Sequence, residues 1–354
     1  ASRVEQAAGY LRASGAMLYP QVSLLARGGG KAGGDASGLQ GVGLFANWEL
    51  DLWGRVRAGQ AFARMQYESA ELDNQYARQS IAALVAKSWF LTIEARLQHA
   101  QAQHMIESSD QLTTLAGERF RVGRGDVLDV TLARANAESL RDTERNLDFA
   151  YQQAVRSLET LVGRYPAAAL NVADRLDPLP SAVPVGLPSE LLERRPDVVA
   201  AERRVAGAFY RTEEAKAARL PRITLNVTGS SISSELCVLK NADNVVLSAG
   251  ATLLQPIFLG GQLQAQVDIR TAEQQAAITD YGRISTRAFA EVENALSSSF
   301  SLAQRETILA RAVGLSTRAV ELSSDRLRVG SGDMRAVEQQ QLALLDAHNI
   351  DLVI

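Results

Sequence analysis

Alternating apolar and polar positions mark two short regions near the start of the chain and two more after its midpoint. In the run 41–52, Val42, Leu44 and Ala46 share one face while Asn47 lies on the other. A period of two is typical of a strand with one apolar side. The predicted strands are 19–27, 41–52, 221–229 and 245–257.

Two much longer segments show helical spacing of their apolar residues and contain no proline. They run from Arg55 to Val122 and from Gln262 to Val329, and each is long enough for one helix of ~100 Å at ~1.5 Å per residue. Such helices need packing partners along their whole length. After the first of them, small and apolar residues recur every seven positions over 140–161, which is typical of a coiled coil.

The chain is internally duplicated. The stretch RFRVGRGD at 119–126 returns as RLRVGSGD at 326–333, where again one long helix must end and another begin. Glycine supplies the positive φ that such a turn needs, and the final aspartate, Asp126 or Asp333, is a suitable N-cap. Each stretch is therefore predicted to be the tip of an antiparallel helical hairpin. The turn-forming glycines are Gly123, Gly125, Gly330 and Gly332.

Two structural repeats describe the organisation of the chain. A first repeat over 1–163 and a second over 188–354 are joined by a proline-rich connector, 164–187, that we expect to run along the outside of the body. Both chain ends lie inside helical sequence, so we expect both repeats to be truncated. Beside the strands, the predicted elements are a partial helix 1–17 and a hairpin 54–163, then a helix 189–219 and a hairpin 261–354.

Composition restricts the classes of function. The formal net charge of −3 argues against binding to nucleic acid, which needs a basic face. The sequence has no run of ~18 apolar residues, so it encodes no transmembrane helix and a membrane role would require the strands. The single cysteine, Cys237, excludes an internal disulfide framework.

Signals of enzymatic chemistry are weak. His99 and His104 are five positions apart on a predicted helix, which places them on different faces, and His348 is isolated. The glycine-rich stretch 27–38 lacks the Gly-Lys-Ser/Thr ending of a phosphate-binding loop. We therefore predict that the protein is not an enzyme and that it has no catalytic residue, cofactor or metal site.

Aromatic residues lie near the ends of the predicted strands. Tyr19, Trp48, Trp53 and Phe258 fit the aromatic belts of a membrane interface. Strands of roughly ten residues with one apolar face fit a transmembrane β-sheet. The same alternation is compatible with the half-buried sheet of a soluble protein, because the signal of each strand is weak.

Four motifs in order resemble the outer-membrane efflux proteins, the TolC-like and OprM-like channels, and in particular the NodT-type outer-membrane lipoproteins of RND efflux systems. They are NWELDLWGRVR at 47–57, LERRPDV at 192–198, QPIFLGG at 255–261 and the paired tips. The resemblance covers essentially the whole chain and implies a fold that is mainly α with membrane β. It implies a homotrimer in which each chain gives four strands to a twelve-stranded transmembrane β-barrel and long helices to a periplasmic α-barrel.

The resemblance also implies a function. The protein would be the passive exit duct of a tripartite efflux pump for drugs or other toxic compounds, opened at its tips by a periplasmic adaptor protein and an inner-membrane RND-type transporter. Its place would be the lipid of a Gram-negative outer membrane, with a lipid anchor. Two other classes contain long helical hairpins: periplasmic adaptors, which insert one hairpin in soluble β-domains, and structural coiled-coil proteins, which lack the strand pairs.

By resemblance the tips form the periplasmic entrance, where Asp129 occupies the position of an acidic residue of the constriction. Carboxylates from three chains would repel one another there and make the entrance sensitive to pH. The alternative role of Asp129 is that of a solvated charge at a helix N-terminus. The second repeat departs from the family, since Ala336 and Gln339 stand in place of acids and Leu327 in place of a tyrosine.

The resemblance assigns two groups of residues to the tips. We expect Arg121 and Arg328 to tie neighbouring helices together or to meet the adaptor. The predicted gate residues are Asp129, Asp126, Asp333, Arg121 and Arg328. The predicted adaptor-docking residues are Val122, Gly123, Gly125, Val329, Gly330 and Gly332.

Overall fold

The computed structural model describes residues 1–28, 40–176, 190, 193–233 and 245–352. The fold is mainly helical with one small antiparallel sheet. In chain order the elements are α1 Ser2–Ala16, β1 Gln21–Gly28, β2 Gln40–Leu50, α2 Arg55–Arg121, α3 Val127–Leu161, α4 Pro196–Ala217, β3 Arg222–Ser233, β4 Val245–Leu254, α5 Gln262–Arg328 and α6 Met334–Leu352.

The two long uninterrupted helices that the sequence predicts are present. Both α2 and α5 contain 67 residues. Among the described helices, none combines the length and the apolar character that crossing a membrane requires. The glycine-rich stretch beyond Gly28, Cys237, and the prolines of the connector from Pro178 onward lie outside the described residues.

Several element ends differ from the predicted ones, and two of the differences have a clear physical cause. Residues 190, 193 and 194 are helical, but the continuous helix α4 begins only at Pro196. The break lies at Arg195, which is extended at φ −83°, ψ 116°, as residues before proline usually are. Pro196 and Asp197 then occupy the first turn, as predicted. Strand β3 continues to Ser233 although its last residues lack apolar alternation, because Gly229 to Ser233 pair with β2.

The described residues form two compact units. The first contains residues 1–78 and 186–290, and the second contains residues 79–185 and 291–354. The sheet belongs to the first unit and both hairpin tips belong to the second. Each long helix contributes residues to both units.

The sheet has the strand order β1-β2-β3-β4, and all its neighbours are antiparallel. The register places apolar residues in rows across all four strands of one face, and most of their side chains are exposed; Leu247 is 77% exposed. The opposite face carries mostly polar and small residues. One apolar row contains Val22, Ala46, Val227 and Ala249, the next contains Leu24, Leu44, Gly229 and Leu247, and a row of the opposite face contains Ser23, Phe45, Thr228 and Ser248.

Helices of the first unit pack through small side chains. Gly207 of α4 lies so close to Met65 of α2 that an added Cβ would meet its Cβ at 3.4 Å. The Thr212 hydroxyl donates a hydrogen bond of 3.1 Å to the backbone carbonyl of Arg270 in α5. The buried residues of this unit are mostly alanine and valine, so the backbones approach closely, as an alanine-rich composition favours.

In the second unit the start of the connector is fastened to α3. The Glu159 carboxylate accepts backbone N–H bonds from Ala168, Ala169 and Leu170 at 2.8, 2.8 and 3.0 Å. Burial opposes ionisation of Glu159, but these N–H groups outweigh it and lower the pKa of the carboxyl below its ordinary value. Beside this contact, Val172 packs with Ile93 and Val155 in a buried apolar cluster.

Candidate functional site

The two tips end their helices in the same way. Gly123 has φ +72°, and its N–H donates a hydrogen bond to the Phe120 carbonyl. The next N–H, that of Arg124, donates to the Arg119 carbonyl at 2.8 Å. Gly330 has φ +84° and the second tip repeats both bonds. This pattern is a Schellman motif, in which the left-handed glycine lets the last helical carbonyls find donors. The positive φ predicted for the Val-Gly core is confirmed at these two glycines.

The second glycine of each tip is required for a different reason. A Cβ added at Gly125 would lie 3.0 Å from the Phe120 nitrogen, and one added at Gly332 would lie 2.7 Å from the Leu327 nitrogen. In each tip the backbone turns back against the end of the helix that precedes it. A side chain at either position would therefore force the turn open.

Aspartates cap the two return helices, as predicted. The Asp126 carboxylate accepts the Leu128 N–H at 3.3 Å, and Asp129 reaches back to the Asp126 N–H, which completes a capping box. In the second tip the Asp333 carboxylate accepts the Arg335 N–H at 3.3 Å. Asp129 is half-buried in this arrangement.

The structure brings the two tips together. The Arg119 guanidinium, at the end of α2, donates a 2.6 Å hydrogen bond to the backbone carbonyl of Leu327, at the end of α5. Both tips line a small cavity of about 40 Å³. Its lining residues are Ala116, Arg119, Gly125, Asp129, Leu327, Gly332, Asp333 and Met334.

An apolar cluster supports this junction. Leu327 is a buried member of this cluster, so it is part of the packing between the hairpins. Ala133 of α3 and Val337 of α6 belong to the same cluster, which joins the two return helices. The full set of buried members is Leu112, Ala116, Ala133, Leu327, Met334 and Val337.

A carboxyl group that the sequence did not single out faces the two aspartates. Burial raises the pKa of Glu338, and the charges of Asp129 and Asp333 raise it further, while Arg335 acts in the opposite direction. Ala336 and Gln339 are exposed on the same helix. The carboxylate that α6 directs into its packed side is thus that of Glu338.

The predicted tip arginines lie on the surface. Arg121 is exposed, and Arg328 pairs only loosely with Asp325, at 3.5 Å with both side chains mostly exposed. Exposed pairs of this kind contribute little to stability. Arg119, two positions before Arg121, is the arginine that crosses between the tips. Arg119 and Arg326 occupy equivalent positions in the two repeats, and the sequence could have indicated both. Only the fold shows that Arg119 turns inward while Arg326 stays exposed.

The apolar residues predicted to dock a partner are exposed at both tips. Val122 is 63% and Val329 is 78% exposed. Phe120, Val127 and Leu128 are also exposed around the first tip. The tips therefore present apolar side chains beside the turn glycines, with arginines next to them.

The predicted interface aromatics gather at one end of the sheet. Trp48 donates its indole N–H to the Leu18 carbonyl at 2.9 Å, and Trp53 donates to the Pro221 carbonyl at 2.8 Å. Tyr19 and Phe258 are mostly exposed. The register places the start of β1 beside the end of β2. Trp48 lies near that end of β2, and Tyr19, Trp53 and Phe258 precede or follow strands at the same end of the sheet.

Among the described residues, no group of three or more His, Cys, Asp and Glu side chains is placed to hold a metal ion. His99 instead contacts the Glu144 carboxylate at 2.9 Å and stacks on Tyr151, which links α2 with α3. His104 lies beside Glu107 on the surface. The histidines of α2 thus have packing and surface roles in this fold.

The comparison with known proteins gives a consistent result. The sequence model described as "Outer membrane efflux protein" matches residues 1–164 and 187–350. The pyoverdine export outer membrane protein OpmQ of Pseudomonas aeruginosa is 29% identical over 98% of this chain and 76% of its own length. The outer membrane protein OprJ of the same organism is 32% identical over 86% of this chain and 64% of its own length.

A solved structure extends the similarity to the whole described fold. The outer-membrane channel OprN superposes with a TM-score of 0.91 and 26% sequence identity. The match covers 99% of this chain and 81% of that channel.

Proposed function

The chain belongs to the outer membrane efflux protein family, whose members are channel-type proteins and not enzymes, and on this basis we propose that it is the exit duct of a tripartite efflux pump. It acts in efflux at the outer membrane of a Gram-negative bacterium. In this proposal, transport through the duct is passive. A lipid anchor on the full-length protein is part of the proposal.

The observation that carries the proposal is the open sheet. Its two outer strands, β1 and β4, each have one neighbour, and one face of the sheet exposes rows of apolar side chains. Lipid offers no hydrogen-bond partner to a strand edge, so strands in a membrane must close into a barrel. Four strands are too few, and three copies supply twelve.

The two repeats have matching roles in this proposal. Residues 1–163 and 188–354, joined by the connector 164–187, each contribute one strand pair and one hairpin. The strand pairs form the membrane barrel and the hairpins form a helical barrel in the periplasm. The aromatics Tyr19, Trp48, Trp53 and Phe258 then lie at one membrane interface.

We assign the entrance to the tips. Asp126, Asp129 and Asp333, with Arg121 and Arg328, form a charged ring at the periplasmic end of the trimer. Exposed Val122 and Val329 and the adjoining glycines, Gly123, Gly125, Gly330 and Gly332, receive the periplasmic adaptor. The inner-membrane transporter acts through that adaptor, and opening follows from contacts that favour the separated tips.

Conductance of the full-length protein in planar lipid bilayers tests the proposal. Protein extracted from outer membranes with detergent should form ion-conducting pores, and loosening of the tips should raise their conductance. Deletion of the gene should increase sensitivity to a panel of toxic compounds. A protein that stays soluble without detergent, or one that gives no current even with loosened tips, would contradict it.

A further inference from the structure

Between two apolar layers, the contact between the return helices α3 and α6 contains a layer of buried polar atoms. Nearer the tip, Ala133 and Val337 belong to one buried apolar cluster. Farther from the tip, Leu140 and Leu345 belong to the next. The number of residues that separates Ala133 from Val337 is nearly the same as the number that separates Leu140 from Leu345. Helices α3 and α6 therefore run side by side, parallel and in constant register.

Three side chains occupy the level between those layers. Asn136 of α3 buries its side-chain nitrogen, and Glu338 and Gln341 of α6 each bury one side-chain oxygen. None of these atoms has a hydrogen-bond partner among the described residues. We call Asn136, Glu338 and Gln341 the polar layer.

Unpaired polar atoms weaken a helix contact. Each buried polar atom loses its bonds to water and gains none in return, so the polar layer opposes the apolar clusters on either side of it. Gln341 is 5% exposed, which leaves water little access while the helices are packed. Separation of α6 from α3 would return all three atoms to water. The contact between α3 and α6 is therefore held by its two apolar layers and is weak at the polar layer between them. We call this contact the junction of the return helices.

The charges that face Glu338 have a definite sign. Asp129 approaches from the first turn of α3 and Asp333 from the N-cap of α6, and both disfavour the ionised carboxyl. Arg335 on α6 is the opposing charge. Arg119 lines the tip cavity with Asp129 and Asp333, but its guanidinium is committed to the Leu327 carbonyl. The ionised form of Glu338 is thus the form that the closed junction stabilises least.

We propose that the polar layer is a proton-controlled release point, at which α6 stays packed on α3 while Glu338 is protonated and separates readily once Glu338 is ionised. A protonated carboxyl removes one charge from beside Asp129 and Asp333. It also gains an O–H that a rotation can direct at the unpaired oxygen of Gln341, one helical turn away. This inference rests on the proposed channel function and adds a regulation of its entrance by periplasmic pH.

The sign of the pH effect follows from the raised pKa of Glu338. Its contribution to the closed contact is complete below the ordinary glutamate value of 4.5 and is lost as the pH rises through the raised value. The junction is therefore tightest in acid and loosens toward neutral pH.

Hydrogen exchange of the full-length protein in lipid tests this directly. After correction for intrinsic rates, amides of 334–345 should lose protection severalfold as the pH rises from about 4.5 to neutral. Glu338→Gln should keep the acid level of protection at neutral pH. The matched control is Glu321→Gln, which removes an exposed carboxyl of α5 that is paired with Arg318. An unchanged pH dependence in Glu338→Gln would overturn the proposal.

A second variant separates release from a simple structural role. Gln341→Met removes the buried oxygen at nearly constant length, so it should raise protection of 334–345 and lower the bilayer conductance at neutral pH. If the polar layer instead stabilises the junction, Gln341→Met will reduce protection. If the protein forms no pore at all, the proposed function fails. If the protein forms pores but neither variant alters their conductance or the hydrogen exchange of 334–345, the release point is contradicted and the channel function still stands.

Discussion

The guanidinium of Arg119 donates a hydrogen bond to the backbone carbonyl of Leu327, 208 residues later in the chain. This hydrogen bond links the tip of one hairpin to the tip of the other. Its equivalent in the second repeat, Arg326, is exposed. The duplicated tips are therefore alike in their turns and unlike in the contact that joins them.

Replacing Arg119 by methionine should loosen the tips. The change removes a hydrogen bond from a charged donor, worth about 1.5–3 kcal/mol, and leaves the Leu327 carbonyl without that partner. We expect a larger conductance in planar bilayers and leakage of small toxic compounds into cells. Arg326→Met is the matched control and should have little effect. Equal effects of the two changes would show that the bond does not hold the junction.

Valine at Gly123 or Gly330 should abolish efflux. A β-branched side chain at a positive φ costs about 1–3 kcal/mol, and it changes the turn that both the entrance and the docking surface require. Sensitivity to toxic compounds should rise while trimers still form on native gels. Gly314→Ala, in open space on α5, is the control and should preserve function. Loss of trimers in the valine variants would instead make these glycines purely structural.

Lysine at Leu247 should impair insertion into the membrane. Leu247 belongs to the exposed apolar face of the sheet, and a lysine facing lipid near the bilayer midplane costs about 2–4 kcal/mol. The yield of the protein in the outer-membrane fraction should fall. Ser248→Lys, on the opposite face of the same strand, is the comparison and should insert better. Normal insertion of Leu247→Lys would mean that this face does not contact lipid.

Acid should detach the connector from α3. The pKa of Glu159 is lowered by the backbone N–H groups that it binds, so its stabilisation is present above the ordinary value of 4.5 and is lost as the pH falls through the lowered value. Hydrogen exchange at 168–170 should therefore increase below that pH. Glu159→Gln should show the increase already at neutral pH, whereas the exposed Glu138→Gln should not. Slow exchange in Glu159→Gln would contradict this role.

Local chemistry made much of the fold predictable. Gly123 and Gly330 require a left-handed backbone, Asp126 and Asp333 satisfy exposed N–H groups, and each of these needs is met within a few residues. The strands were predictable for a similar reason, since a period of two reports a surface with one apolar side. The family resemblance then supplied the meaning of these elements.

Contacts between distant segments explain what the sequence did not indicate. Nothing near Glu338 in the sequence shows that it faces Asp129, which lies in the other hairpin. Nothing near Leu327 in the sequence shows that packing between the hairpins buries it. Arg119 and Arg121 are two arginines of the same tip that the sequence does not distinguish. Only the fold shows that Arg119 donates a hydrogen bond to the Leu327 carbonyl of the other tip.

Native mass spectrometry of the full-length protein, released from outer-membrane lipid, tests the central claim most directly. The claim is that copies of this chain jointly close a sheet whose outer strands β1 and β4 each have one neighbour in the single copy. The account predicts a particle with the mass of three chains. A particle with the mass of one chain, stable in the same lipid, would contradict it.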